Sequence, residues 1–170
     1  MGTLAILTSG GDAPGMNAAI VAAAKTAIAA GWRVLGFEDG YNGLIDGRFV
    51  ELSLGTLQDV GRDGGTFLRS ARSERFRTEQ GRAIAARNLV GADALIVIGG
   101  NGSLTGAHVL AKEHGIRVIG VPASIDNDIA CTSLCIGVDS AVNAIVEACD
   151  RISDTARSHR RAFIVEVMGR

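Results

Sequence analysis

The densest chemistry in this chain lies in Ser124-Ile125-Asp126-Asn127-Asp128, a hydroxyl, two carboxylates and an amide within five residues. The stretch follows an apolar run, Val118-Ile119-Gly120-Val121, that reads as a buried strand. Pro122 ends that strand because it has no N–H to give to a ladder. In an open parallel sheet, the loops beyond the carboxyl ends of the strands form the ligand crevice. Asp126 in such a loop has the chemistry to take a proton from a substrate hydroxyl, and Asp128 the chemistry to hold a metal. The same residues also suit an ordinary Asx-rich turn, with carboxylates capping nearby N–H groups. The stretch by itself leaves both readings open.

Three glycine-bearing loops accompany it. Thr8-Ser9-Gly10-Gly11-Asp12-Ala13-Pro14-Gly15-Met16-Asn17 follows the apolar run Leu4-Ala5-Ile6-Leu7. Strand, glycine loop and helix in that order offer N–H groups and a positive helix end to a phosphate. Gly10 to Gly15 has the outer spacing of a P-loop, but Met16 and Asn17 stand where Lys and Ser or Thr are required, so it is not one. Gly64-Gly65-Thr66 leads to Arg69 and Arg72, a pairing that suits oxyanion binding and equally suits a surface turn with solvated arginines. Gly99-Gly100-Asn101-Gly102-Ser103 follows Ala94-Leu95-Ile96-Val97-Ile98, the strongest strand in the chain. There is no nucleophile elbow of the G-x-S-x-G type. Gly100-x-Gly102-x-x-x-Gly106 misses the dinucleotide spacing by one residue, and no acid ends the next strand to hold a ribose. Phosphate cradles, arginines and a carboxylate pair without a nucleophile match the needs of phosphoryl transfer, which depends on positioning and charge.

The elements that must position these groups alternate. Leu4–Leu7 predicts a strand, 18–30 a helix closed by Gly31, and Arg33–Phe37 a second strand. Asp39–Gly43 is a turn cluster, and 49–52 reads as a short edge strand. An Arg-rich helix is predicted over 75–90. Ser103 is a candidate N-cap for a helix that Gly115 closes, and Arg117–Val121 is a strand. Val138, Val142, Ile145, Cys149, Ile152 and Ala156 fall at helical spacing, giving a helix over 139–158, and Ala162–Val167 reads as a last strand. The expectation is α/β: a three-layer sandwich, Rossmann-like, with a mostly parallel sheet covered by helices on both faces.

Composition narrows the function classes. The chain has 170 residues, 47% hydrophobic and 21% charged, which suits one domain, 1–170, with a full core. A net charge of −1 gives no electrostatic footprint for nucleic acid or an anionic membrane. The first apolar run is too short for a secretory leader, and no run reaches the length of a membrane span. Cys131, Cys135 and Cys149 lack zinc-site spacing and read as reduced thiols of a cytoplasmic protein.

Taken in order, these loops resemble the N-terminal half of a 6-phosphofructokinase. The stretch 8–17 is similar to that family's first nucleotide loop, Gly64-Gly65-Thr66 with Ser70-Ala71-Arg72 to its second, and 99–103 to its third. Ser124–Asp128 resembles its catalytic loop, and Glu166-Val167-Met168-Gly169-Arg170 its sugar-phosphate segment. The resemblance implies transfer of the γ-phosphoryl group of ATP to the 1-hydroxyl of fructose 6-phosphate, with Mg²⁺. It makes Asp126 the base and Arg72 the residue that spreads charge on the moving group. It assigns Gly10, Gly11, Arg72, Asn101, Gly102 and Ser103 to the nucleotide. Ser124, Asp126, Met168, Gly169 and Arg170 go to the sugar phosphate, and Arg161 to a neighbouring subunit's substrate, hence a homo-oligomer with shared sites.

The sequence departs from the family at several positions. Asn101 stands where the family carries a metal-binding Asp, and an amide brings no charge to a hard cation, so Asp128 carries more of the metal. The pyrophosphate-using branch has Asp and Lys where this chain has Gly102 and Ala123. Gly102 leaves room for an α-phosphate, which favours ATP. Val21 and Leu54 replace arginines that bind effectors in bacterial members, with only Lys25 keeping charge. A final strand with no covering helix after it suggests the front part of a longer protein. The other readings are a non-catalytic binding homologue and a pyrophosphate-dependent variant.

Overall fold

The computed structural model describes residues 2–167. Five strands form one sheet: β1 (Thr3–Ser9), β2 (Arg33–Phe37), β3 (Phe49–Glu51), β4 (Ala94–Gly99) and β5 (Val118–Pro122), in the order β3-β2-β1-β4-β5. β1 runs parallel to β2 and β4, β4 runs parallel to β5, and β3 closes one edge antiparallel to β2. The helices are α1 (Met16–Ala29), α2 (Tyr41–Asp46), α3 (Glu79–Asn88), α4 (Asn101–His114) and α5 (Val138–His159).

The central strands are apolar without alternation because both of their faces are covered. Ala5 and Leu7 of β1, with Leu95 and Val97 of β4, pack in one core with Leu44 of α2, Ala85 of α3 and Leu110 of α4. Leu4 and Ile6 of β1 and Ile98 of β4 enter the other, with Met16, Ile20 and Ala24 of α1. Successive strand residues thus serve opposite layers, and the expected α/β three-layer architecture is present. At roughly 1.5–3 kcal/mol per large side chain buried, these two cores dominate the stabilising side.

Several elements differ from expectation. The 39–43 cluster is not only a turn: Tyr41 opens α2, because Tyr41, Leu44 and Ile45 are buried together. The expected 75–90 helix is divided into a 3₁₀ turn at Arg75–Arg77 and the shorter α3. Thr78 is extended between them, and its hydroxyl accepts from Gly81 N–H at 3.0 Å as the N-cap of α3. α4 begins at Asn101 with Gly100 as its N-cap, so Ser103 lies inside the first turn and does not cap it. The strand expected over 162–167 is not formed. It has no ladder partner among the described residues, and Ile164 is 99% exposed. α5 forms as expected, but none of its residues is buried.

Candidate active site

The site is built where β1, β4 and β5 end side by side. β4 pairs Gly99 with Ser9 of β1 and with Pro122 of β5, so three loops leave the sheet at one level. Gly99 is required there: a Cβ at that position would lie 2.4 Å from the Ser9 carbonyl oxygen. The loop after β1 and the segment 69–72 are tied together. Gly10 N–H donates to Ala71 O at 3.3 Å, Ser70 Oγ donates to Gly10 O at 2.8 Å, and Thr8 Oγ1 donates to Arg69 O at 2.7 Å. Arg72 therefore emerges beside Gly10 and Gly11.

The α1 end of the first loop is closed on itself. Ala13 N–H donates to the Met16 sulfur at 3.2 Å, and Met16 N–H to Ala13 O. Buried Asn17 donates to Asp63 O and accepts from Phe67 N–H at 2.6 Å. Met16, unsuited to a P-loop, thus closes the first loop on Ala13, and Asn17 holds the second glycine loop against it. The open cradle is α4. In its first turn, Gly102 has open space around it, where a Cβ would meet nothing within 4 Å. The N–H groups and positive dipole of this helix end face the cleft.

The catalytic-loop candidate closes the other side. Its base is a bridge between Ala123 and Ile136, with Ser124 N–H donating to Ile136 O. Gly137 (φ 103°) turns the chain into α5, and a Cβ there would sit 2.8 Å from the Ala13 side chain, so this loop packs directly on the first glycine loop. Ser124 Oγ accepts from Asp126 N–H at 3.3 Å and donates to Asp128 Oδ1 at 3.4 Å. A local turn is thus present, but the Ser124 hydroxyl, not a carboxylate, takes the backbone N–H. Among the described residues the Asp126 carboxylate has no hydrogen-bond or ion-pair partner, and it lines the cleft.

That cleft has a volume of about 1120 Å³. It brings together Gly10, Gly11, Arg72, Asn101, Gly102, Ser103, Ser124, Asp126 and Asp128, nine of the residues singled out from the sequence, and also Glu166. Arg161 is exposed and does not line it. Met168, Gly169 and Arg170 lie outside the described residues. Among the described residues no group of three or more His, Cys, Asp or Glu could hold a metal by itself. Four carboxylates, Asp12, Asp126, Asp128 and Glu166, and the Asn101 amide line the cleft. This donor set suits Mg²⁺, which keeps waters and is bound through one or two carboxylates plus substrate phosphates.

One wall was missed in the sequence. Tyr41 stacks on Phe76 with ring centroids 3.7 Å apart and planes 9° apart. Its hydroxyl donates to Ser103 O at 2.6 Å, and burial pushes its phenol pKa far above the ordinary value. Arg77 and Arg82 complete the wall. Arg82 donates to both Glu113 oxygens, at 2.6 and 2.8 Å, and to the carbonyls of Phe76 and Arg77. The hydrogen bond to Arg82 holds the Glu113 carboxyl below its ordinary range. The only local signal was a polar-flanked aromatic at Tyr41 and another at Phe76. Their pairing is long-range.

An apolar stacked wall, a helix N-terminus, an arginine with no side-chain partner among the described residues and a carboxylate around one cleft can seat a nucleotide polyphosphate beside a hydroxylated acceptor. A family model described as Phosphofructokinase matches residues 3–170. The chain is 55% identical over 172 residues to the ATP-dependent 6-phosphofructokinase of Thermotoga neapolitana, covering 100% of this chain and 54% of that protein. It is 51% identical, with the same coverage, to the ATP-dependent 6-phosphofructokinase of Clostridium botulinum strain Hall. The solved phosphofructokinase of Saccharomyces cerevisiae matches it with a TM-score of 0.94 at 40% identity, over 100% of this chain and 26% of that one. The chain spans about half the length of the curated relatives it matches. With the likeness running through every loop that meets in the cleft, the chain belongs to the phosphofructokinase family.

Proposed function

We propose that the protein transfers the γ-phosphoryl group of ATP to the 1-hydroxyl of fructose 6-phosphate, as a glycolytic kinase of the cytoplasm. The observation that carries the reading is the shared cleft: the Asp126 carboxylate, without a partner among the described residues, lines it together with the first turn of α4 and Arg72. In this account these 170 residues are the nucleotide-binding domain, and further sugar-phosphate contacts come from outside them. ATP packs against the Tyr41–Phe76 wall, and its phosphates lie along Gly10, Gly11 and Asn101 to Ser103. The open space at Gly102 accepts an α-phosphate, which favours ATP over pyrophosphate. Asp126 accepts the hydroxyl proton as the acceptor oxygen attacks in line, and Arg72 spreads the charge that builds on the moving group. Asp128 and the Asn101 amide, together with substrate phosphates, would hold Mg²⁺, which would supply neutralisation of that charge. Ser124, Met168, Gly169 and Arg170 hold the sugar phosphate. Arg161, outside its own cleft, serves the substrate of a neighbouring copy in a homo-oligomer.

The test is a chimera in which this chain is continued by the second half of the Thermotoga neapolitana relative. Phosphorus NMR on ATP and fructose 6-phosphate should yield ADP and fructose 1,6-bisphosphate, with pyrophosphate a poor donor. The 170-residue chain alone should show little or no turnover. A chimera that folds, binds ATP and transfers no phosphoryl group would contradict the proposal.

A further inference from the structure

The loop between Ser124 and Ile136 is closed at its base by the Ala123–Ile136 bridge, but above that base its two arms need a separate fastening. Both hydrogen bonds that join the arms there come from one side chain. Asn127 Oδ1 accepts from Cys135 N–H at 2.9 Å, and Asn127 Nδ2 donates to Ser133 O at 3.3 Å. Only this amide orientation satisfies both partners, since a carbonyl oxygen cannot face another carbonyl. Asn127 also has φ 50°, in the left-handed region that Asn tolerates better than other side chains. Its neighbours Asp126 and Asp128 line the cleft, while Asn127 itself does not.

We propose that Asn127 is a positioning residue: it pins the returning arm of the loop and so fixes the direction of Asp126 and Asp128 on either side of it. The inference rests on the reading of Asp126 as the proton acceptor. A carboxylate aimed by a single residue's neighbours can swing when that residue lets go, and a misdirected base costs turnover more than affinity. Substitution by Asp keeps the acceptor for Cys135 N–H, loses the donor to Ser133 O, and sets a third negative charge between two others.

Cys131 and Cys149 are exposed and Cys135 is buried, so a thiol reagent should find two fast sites and one slow site on the 170-residue chain. In Asn127→Ala, Cys135 should react at least tenfold faster, with Cys131 and Cys149 unchanged. Asn127→Gly, which relieves any strain of the left-handed backbone, should give the same acceleration and so assign it to the carboxamide. In the kinase-competent chimera both variants should lower kcat at least tenfold, with KM for ATP and fructose 6-phosphate within about twofold, and Asn127→Asp should restore part of the Cys135 protection. Should the variants fail to fold, the unmodified chain offers a check: its Cys135 amide hydrogen should exchange at least tenfold more slowly than a free amide of the same local sequence. Unchanged Cys135 labelling, unslowed exchange, or faster labelling with kcat intact would each overturn the proposal. Full turnover in Asp126→Asn would bring it down by a separate route, through the reading of the base, and the thiol rates tell the two failures apart.

Discussion

Tyr41 joins the two halves of the nucleotide wall, through its stack on Phe76 and its hydrogen bond to the first turn of α4. It is the only tyrosine in the chain, so any phenolate absorbance gained at high pH comes from it alone. Burial favours the neutral phenol and raises its pKa. The folded state therefore holds this proton more tightly than the unfolded one, and stability is full below about pH 10 and lost as pH rises beyond it. The expected titration shows no phenolate signal near pH 10, only a later rise that coincides with unfolding. An ordinary phenol titration with the fold intact would contradict the buried assignment. Sequence reading singled out Asp126 and Arg72 by the chemistry of their own loops and Gly102 through the family resemblance, and all three line the cleft. It missed Tyr41 because Gly40-Tyr41-Asn42-Gly43 has turn composition, and what buries the ring is a residue remote in sequence.

At the scale of elements, Arg82 of α3 clamps Glu113 of α4 and holds the carbonyls that end the Arg75–Arg77 turn. Glu113→Gln should loosen that turn and weaken ATP binding by about two- to fivefold, the size an accessible pair carries. Glu113 is held below its ordinary range, so its contribution is present above the unfolded carboxyl value and is lost as pH falls through the depressed folded one. The stability gap between wild type and Glu113→Gln, measured by urea unfolding, should therefore narrow on going from pH 7 towards pH 3. A gap independent of pH would remove the ion pair from the account. Elements were legible where burial is two-sided: the runs of β1 and β4 are continuous because both faces are covered. The start of α4 was misread because Ser103 is a good cap by type. The Gly99–Gly100 turn lets the helix begin earlier, and the Ser103 hydroxyl lies close to Gly99 and Gly10 at the cleft instead. The strand expected over 162–167 has strand-like composition, but composition cannot supply the neighbour a ladder needs.

Across the whole molecule, the sheet and its two cores form one stable body, whereas α5 presents Val142 and Val146 to solvent and buries none of its residues. Local stability follows buried contacts. Amide hydrogens of α5 should exchange at least a hundredfold faster than those of β1 and β4 in the isolated chain. Comparable protection would mean that α5 is covered in solution. The amphipathic spacing of α5 was legible in the sequence, but that nothing among the described residues buries that face was not, since periodicity reports a face and not what meets it. The body that remains brings three loops together so that Asp126 and the first turn of α4 line one cleft, and the functional account stands on that juxtaposition. Its most direct test is Asp126→Asn in the kinase-competent chimera, with kcat and both KM values measured against wild type. The account predicts a fall in kcat of about 10²- to 10⁴-fold, the span of general base catalysis, with both KM values nearly unchanged. Wild-type kcat in that variant would contradict it.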